Sequence, residues 1–292
     1  MKINKVCILG AGTLGTRVAL QSALSGYEVA VYDIYPKALE NSKKTMEKII
    51  RSLAKNSGLE AEAGLNAIKE ITFTDNANVA VMDSDIINES VLENVAVKQE
   101  VWNQFGIIAP EKTIFTTNTS FLLPSTFAEI SGRPARFCAL HFHDVFYAKV
   151  VDIMPHKGTD PALIPILMDF GRSLEQVPVF VKKENPGYIF NSMLMAFIGA
   201  AGKLITGEVA SIQDIDRSWM VNFHMPMGPF GILDSIGLDT AWHVTHNMPD
   251  KASQSFAAFL KTYIDAGKLG EKTGEGFYSY PHPTYKDPDF LS

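Results

Sequence analysis

A strand-like run at residues 4–9 leads without a break into Gly10, Ala11, Gly12, Thr13, Leu14 and Gly15, after which a helical pattern begins. No other feature of the chain restricts its fold as much. Three glycines at this spacing have separate duties: the first makes a tight turn, the second lets a ligand approach the backbone, and the third lets helix and strand pack closely. The first amides of the helix then face an anionic group. A second strand-like run, 28–33, ends at Asp33, eighteen residues beyond Gly15, where a carboxylate can accept both hydroxyls of a ribose. Turn, strands, helix and acid together point to a bound dinucleotide. A carboxylate at Asp33 repels a 2′-phosphate, and Tyr32 and Ile34 beside it offer no guanidinium, so NAD is expected rather than NADP.

Up to residue 184 the chain alternates short β-rich runs with amphipathic stretches, the pattern of a doubly wound parallel sheet with crossover helices. Strands are expected at 4–9, 28–33, 70–74, 84–88, 113–117, 137–142, 149–154 and 177–181. Helices are expected at 14–25 and 37–53, and a turn at 131–134. From Asn185 onward the strand signal disappears. Pro186 and Gly187 break the chain, which predicts an N-terminal α/β domain at 1–184 and an all-helical one at 185–292. The eighteen uncharged residues between Glu184 and Lys203 approach the length of a membrane span, but Asn, Pro and Gly open them. A buried or subunit-interface helix is the better reading. The helical part carries more apolar surface than it can hide internally, so a homodimer formed through it is expected.

Lys and Arg number 26 against 32 Asp and Glu, a net charge of −6. With no basic field to hold nucleic acid or an anionic membrane, the expected partner is a small molecule. Cys7 and Cys138 sit in apolar strand runs, which suits reduced thiols in a cytoplasmic protein. The first residues, "MKINKVCILG", lack the long apolar core of a secretory leader, so none is expected.

In doubly wound sheets, ligands bind beyond the carboxyl ends of the strands. Polar groups at those ends are therefore the candidates for chemistry. After "DIIN" come Glu89, Glu93 and Lys98; after "TIFTT" come Asn118, Thr119 and Ser120; after "FCAL" comes His141. Each alone has an ordinary explanation, such as a helix cap, a solvated face or a hydrogen-bonded structural histidine. Together they converge on one crevice, with Glu93, Lys98 and Asn118 placed to meet the cofactor.

Seven segments, "ILGAGTLG", "LENVAVK", "IFTTNTS", "ALHF", "NPGYIFN", "PMGPFGILDSIGLD" and "GKLGEKTGEGFY", occur in an order that resembles the 3-hydroxyacyl-CoA dehydrogenase family over essentially the whole chain. The resemblance implies that Ser120, His141 and Asn191 surround the reacting oxygen. It also implies an acid on the next strand paired with the histidine, for which Asp152 is the counterpart. An imidazole is suited to remove a hydroxyl proton near neutral pH while hydride leaves the same carbon. A carboxylate on its far nitrogen fixes the tautomer, and Ser120 and Asn191 would orient the substrate oxygen.

The chain departs from the family pattern in places. His143 and Asp144 stand where Phe and Asn are expected, and Asp152 stands where Glu is. Asp144 is therefore a rival orienting acid. Asp152 is preferred because a neighbouring strand presents its side chains across to its partner. His143, two residues from His141, would share its face and either touch substrate or line the rim. Ser192 replaces an Arg common in the acyl-CoA enzymes, which brings the chain closer to the diketoreductase branch acting without CoA. If CoA binds, the basic side chains of 37–55 are the place to meet its charges. Two of those residues, however, have acidic partners four positions before them, as on an ordinary helix surface. The leading expectation is NAD-dependent oxidation of a 3-hydroxyacyl-CoA and its reverse. The alternatives are the same chemistry on a CoA-free hydroxy acid or dicarbonyl, or a non-catalytic nucleotide-binding protein.

Overall fold

The computed structural model describes residues 2–58 and 60–292. The chain divides into two compact units, Met1–Ile189 and Phe190–Ser292. In the first unit, strands β1 (Lys5–Leu9), β2 (Glu28–Tyr32), β3 (Thr72–Thr74), β4 (Ile86–Glu89), β5 (Ile114–Thr117), β6 (Phe137–Phe142), β7 (Val150–Pro155) and β8 (Val177–Phe180) form one sheet in the order β3-β2-β1-β4-β5-β6-β7-β8. Helices α1 (Thr13–Leu24), α2 (Pro36–Ser57), α3 (Ala61–Lys69), α4 (Ala77–Val81), α5 (Val95–Ile108), α6 (Ser125–Ala128) and α7 (Leu163–Ser173) connect them. The strand order reverses between β1 and β4, which opens a crevice above their carboxyl ends.

Side chains alternate across the sheet and fill a core on each face. Val6, Ile8, Val31, Ile86 and Leu140 pack on one side, while Cys7, Leu9, Ile87, Phe115 and Phe137 pack on the other around Trp102. Because both faces are covered, the strands read as near-continuous apolar runs. Two strands depart from the expected parallel sheet: β7 pairs antiparallel with β6, and β8 pairs parallel with β7, so both run opposite to the other six. The link at 143–149 is too short for a crossover helix, and a short link permits only reversal.

The division falls at Ile189 rather than at 184 because the chain past Pro186 still belongs to the first unit. Tyr188 is buried there with Ala139, Met154 and Val181, and the Asn185 amide reaches the Met154 sulfur. The second unit holds α8 (Phe190–Thr206), α9 (Ile212–Phe223), α10 (Pro229–Ile236), α11 (Leu238–His246) and α12 (Lys251–Asp265). Ser211 caps α9 by accepting the Asp214 amide. Two buried carboxylates organise this unit. Asp216 accepts the Phe230 and Gly231 amides at the start of α10 and the Tyr278 hydroxyl, and burial pushes it up to about 6. Asp234 accepts the Phe277 and Tyr278 amides and the Tyr280 hydroxyl. The "PMGPFGILD" and "GEGFYSY" segments are thereby fastened together. No described helix is long and apolar enough to cross a membrane.

Candidate active site

The glycine turn lies over the carboxyl end of β1. Gly10 adopts φ +103°, and a Cβ there would stand 2.6 Å from the Ser90 carbonyl oxygen. A Cβ on Gly15 would meet the Gly10 carbonyl oxygen at 2.1 Å, so this glycine is required for helix and strand to approach. Gly12 differs. It is the N-cap of α1, and nothing lies within 4 Å of where its Cβ would be. That open cradle at a helix N-terminus fits a pyrophosphate. Thr13 is exposed beside it, and Leu14 packs against the core. Asp33 is tied to the turn: its Oδ2 accepts the Ala11 amide at 2.9 Å and its Oδ1 the Tyr35 amide at 2.9 Å. The half-buried carboxylate at the tip of β2 is thus fixed against the glycine turn.

At the tip of β4 the structure differs from expectation. Lys98 was expected to meet the cofactor, yet its side chain has no exposed surface. Its ammonium lies 2.6 Å from Glu89 Oε1 and 3.3 Å from Glu93 Oε2. Burial on the inward face of α5 explains this, because a buried ammonium must be paired. Glu89 also accepts the Val91 amide at 2.9 Å and the Thr117 hydroxyl at 2.7 Å. Glu93 is partly exposed, and it accepts the Thr119 hydroxyl. Lys98 therefore sits in the wall and holds Glu93 at the crevice. Asn118 is likewise engaged, its Oδ1 accepting the Phe142 amide and its Nδ2 donating to the Ser90 hydroxyl, so that it braces the tips of three strands. Ser120, two residues on, is exposed.

His141 lies on β6 directly opposite Asp152 on β7. Its Nδ1 is 3.2 Å from Asp152 Oδ2, and the residue is 5% exposed. The antiparallel turn of β7 creates this pairing. Asp144 does not reach the histidine; it pairs with Arg17 and accepts the Phe146 and Tyr147 amides in its own loop. His143, which keeps some exposure, has its Nε2 2.9 Å from the same Asp152 Oδ2. The two imidazole centroids are 4.8 Å apart, and the Tyr188 ring lies 4.9 Å from that of His141. Ligand-type atoms of His141, His143 and Asp152 all fall within 4.8 Å of one another. Burial lowers the pKa of His141, and the Asp152 hydrogen bond opposes that shift. Against the effect of burial, hydrogen bonds from both histidines hold Asp152 below its ordinary value. A neutral imidazole facing an ionised carboxylate is the state a proton acceptor needs.

Asn191 lies in the first turn of α8, half-buried in the second unit. Glu89 and Tyr188 were not singled out for these placements from sequence. Glu89 ends an apolar strand, and in the "NPGYIFN" segment the family resemblance points to Asn191 and says nothing of Tyr188.

Residues 5–185 match the description "3-hydroxyacyl-CoA dehydrogenase, NAD binding domain" and residues 187–280 its C-terminal domain. Human mitochondrial hydroxyacyl-coenzyme A dehydrogenase is 34% identical over 95% of this chain and 91% of its own. A probable 3-hydroxybutyryl-CoA dehydrogenase of Bacillus subtilis is 30% identical over 97% and 100%. Among solved structures, a diketoreductase acting on dicarbonyl compounds superposes with TM-score 0.92 at 38% identity, covering 96% of this chain and 100% of its own. A (S)-3-hydroxybutyryl-CoA dehydrogenase from Ralstonia eutropha does so with TM-score 0.85 at 28% identity, covering 96% and 100%. With its glycine turn, an acid tethered to that turn and a histidine set against a carboxylate, the chain belongs to the 3-hydroxyacyl-CoA dehydrogenase family.

Proposed function

We propose that this NAD-dependent oxidoreductase oxidises the 3-hydroxyl of a 3-hydroxyacyl-CoA and runs the reverse reduction, with His141 as the general base. The observation that carries this reading is the His141–Asp152 pair at the end of β6, in the unit that holds the dinucleotide turn. An Asp152 oxygen accepting from Nδ1 selects the tautomer whose Nε2 bears the lone pair. That nitrogen takes the hydroxyl proton in oxidation and returns it in reduction. Bound NAD supplies the hydride acceptor. Gly10, Gly12, Thr13, Leu14 and Gly15 hold the pyrophosphate, Asp33 the adenosine ribose, and Glu93 the nicotinamide side, with Lys98 and Asn118 bracing it from behind. Ser120 hydrogen-bonds the substrate oxygen, and Asn191 is carried as a substrate-binding residue on its motif alone.

A CoA handle is supported by the family and by the basic groups Lys48 and Arg17, which border a pocket of about 200 Å³ with Thr45, Ser52 and Tyr147. Arg17 is already paired with Asp144, and Lys44 with Glu40, which lessens that support. The second reading, a CoA-free dicarbonyl substrate, is favoured by the 0.92 superposition on a diketoreductase. Steady-state NADH consumption separates them. Acetoacetyl-CoA is expected to be reduced with a kcat/KM at least about tenfold above that of ethyl acetoacetate, equivalent to ~1.4 kcal/mol of added transition-state binding. No turnover of the thioester alongside turnover of the ester would establish the second reading.

We propose a homodimer formed through the second unit, supported by exposed Met193, Val221, Phe223 and Met225. A solution mass of twice 32.1 kDa is expected, and a mass of one chain at micromolar concentration would exclude it. Cytoplasmic location is proposed on the two buried free thiols.

A further inference from the structure

We propose that His143 is a positioning residue that sets the protonation range of His141 through the Asp152 carboxylate they share. The proposal rests on His141 being the base. Strand pairing continues one step past β6, where the His143 amide donates to the Val150 carbonyl at 3.1 Å. Residues two apart on a strand share a face, so both imidazoles stand over Asp152. Both close on one oxygen, Oδ2, and the shorter distance, 2.9 Å against 3.2 Å, belongs to His143 rather than to the base. Two donors on one carboxylate oxygen divide its capacity to stabilise a positive partner.

The consequence follows from what Asp152 does in the reaction. During oxidation His141 becomes an imidazolium, and the negative charge at its Nδ1 stabilises that form. Charge drawn toward the His143 N–H is withheld from His141. Among the described residues four groups act on His141: His143 just past the end of β6, Asp152 on β7, the Tyr188 ring from the segment after β8, and, through its charge, Glu93 from the loop before α5, whose carboxylate lies 3.3 Å from the Lys98 ammonium. Substitution at 143 leaves the other three in place. Of the four, burial aside, His143 is the one that lowers the pKa of His141, while Asp152 and Glu93 raise it.

The sign is therefore determined. Oxidation requires neutral His141, so kcat/KM falls on the acid side as the pH drops through its pKa. Removing the His143 donor strengthens the Asp152–His141 bond, stabilises the imidazolium and moves that limb to higher pH. A net hydrogen bond of ordinary strength corresponds to an upward move of about half to one pH unit.

The test is the pH dependence of kcat/KM for NAD-linked oxidation of 3-hydroxybutyryl-CoA in His143→Phe, His143→Asn and His143→Gln, with and without EDTA. Phe has no donor and the Asn amide is too short to reach Asp152, so both are expected to shift the limb upward. The Gln amide can stand where Nε2 does, and should hold the limb at its original position. An unmoved limb in both His143→Phe and His143→Asn, or an equal shift in His143→Gln, would overturn the proposal, as would a wild-type limb that EDTA displaces. Failure here leaves the function standing, because the limb is read only in protein that turns over.

Discussion

Replacing His141 by Gln is expected to reduce kcat for 3-hydroxybutyryl-CoA oxidation about 10³-fold, the range a positioned general base contributes, while NADH still binds. The amide can occupy the volume of the imidazole and accept a hydrogen bond, but it cannot take up the proton that must leave the hydroxyl as hydride departs. His141 is buried, and Asp152 and Tyr188 hold its ring. No described side chain of this unit is placed to replace it: His143 spends its Nε2 on the same carboxylate, and Asp144 is taken by Arg17. NADH affinity, read by fluorescence titration, should stay within a few-fold, because the glycine turn and Asp33 are on other strands. An undiminished rate in a variant that binds NADH would remove His141 from the chemistry.

The second large effect is on stability. Lys98→Met is expected to cost about 3–5 kcal/mol, since it leaves the Glu89 carboxylate buried without its countercharge. Both side chains are completely enclosed, so water cannot compensate. Adding Glu89→Gln should recover much of the loss. The amide oxygen can still accept from Val91, and the Thr117 hydroxyl can turn to accept from the new N–H₂. Urea denaturation of the two single variants and the double variant forms a cycle that reads the coupling directly. If Lys98→Met unfolds at the parental midpoint, the pair carries no stability, and Lys98 should be sought among the groups that touch cofactor.

The dinucleotide half of the site is legible in the sequence because it rests on backbone geometry. A glycine whose Cβ would lie 2.1 Å from a carbonyl oxygen admits no alternative residue, and the motif therefore survives as a string. Strand positions were equally legible, since a sheet covered on both faces leaves apolar runs bounded by turns. The reversal of β7 was less so. Its run, "VVDIMP", has the same composition as a parallel strand, and only the short link before it signals the change. The burial of Lys98 is not legible in the sequence, because a lysine on a helix ordinarily reaches solvent, and its two acids come from a strand end and a loop that sequence does not bring together. Tyr188 was assigned beyond the boundary for a similar reason. Pro186 and Gly187 mark where the chain bends, whereas the unit ends only after Tyr188 has been buried. The His143 contact needed the register of two strands, which no spacing within one strand supplies.

The reaction of acetoacetyl-CoA with NADH carrying deuterium at both C4 positions of the nicotinamide tests the central claim most directly. If the chain is a hydride-transfer enzyme whose base is His141, NADH is consumed and the deuterium appears at C3 of the 3-hydroxybutyryl product, one label per cofactor oxidised. Consumption of NADH without label at C3, or no consumption by a folded protein that binds NADH, would contradict it.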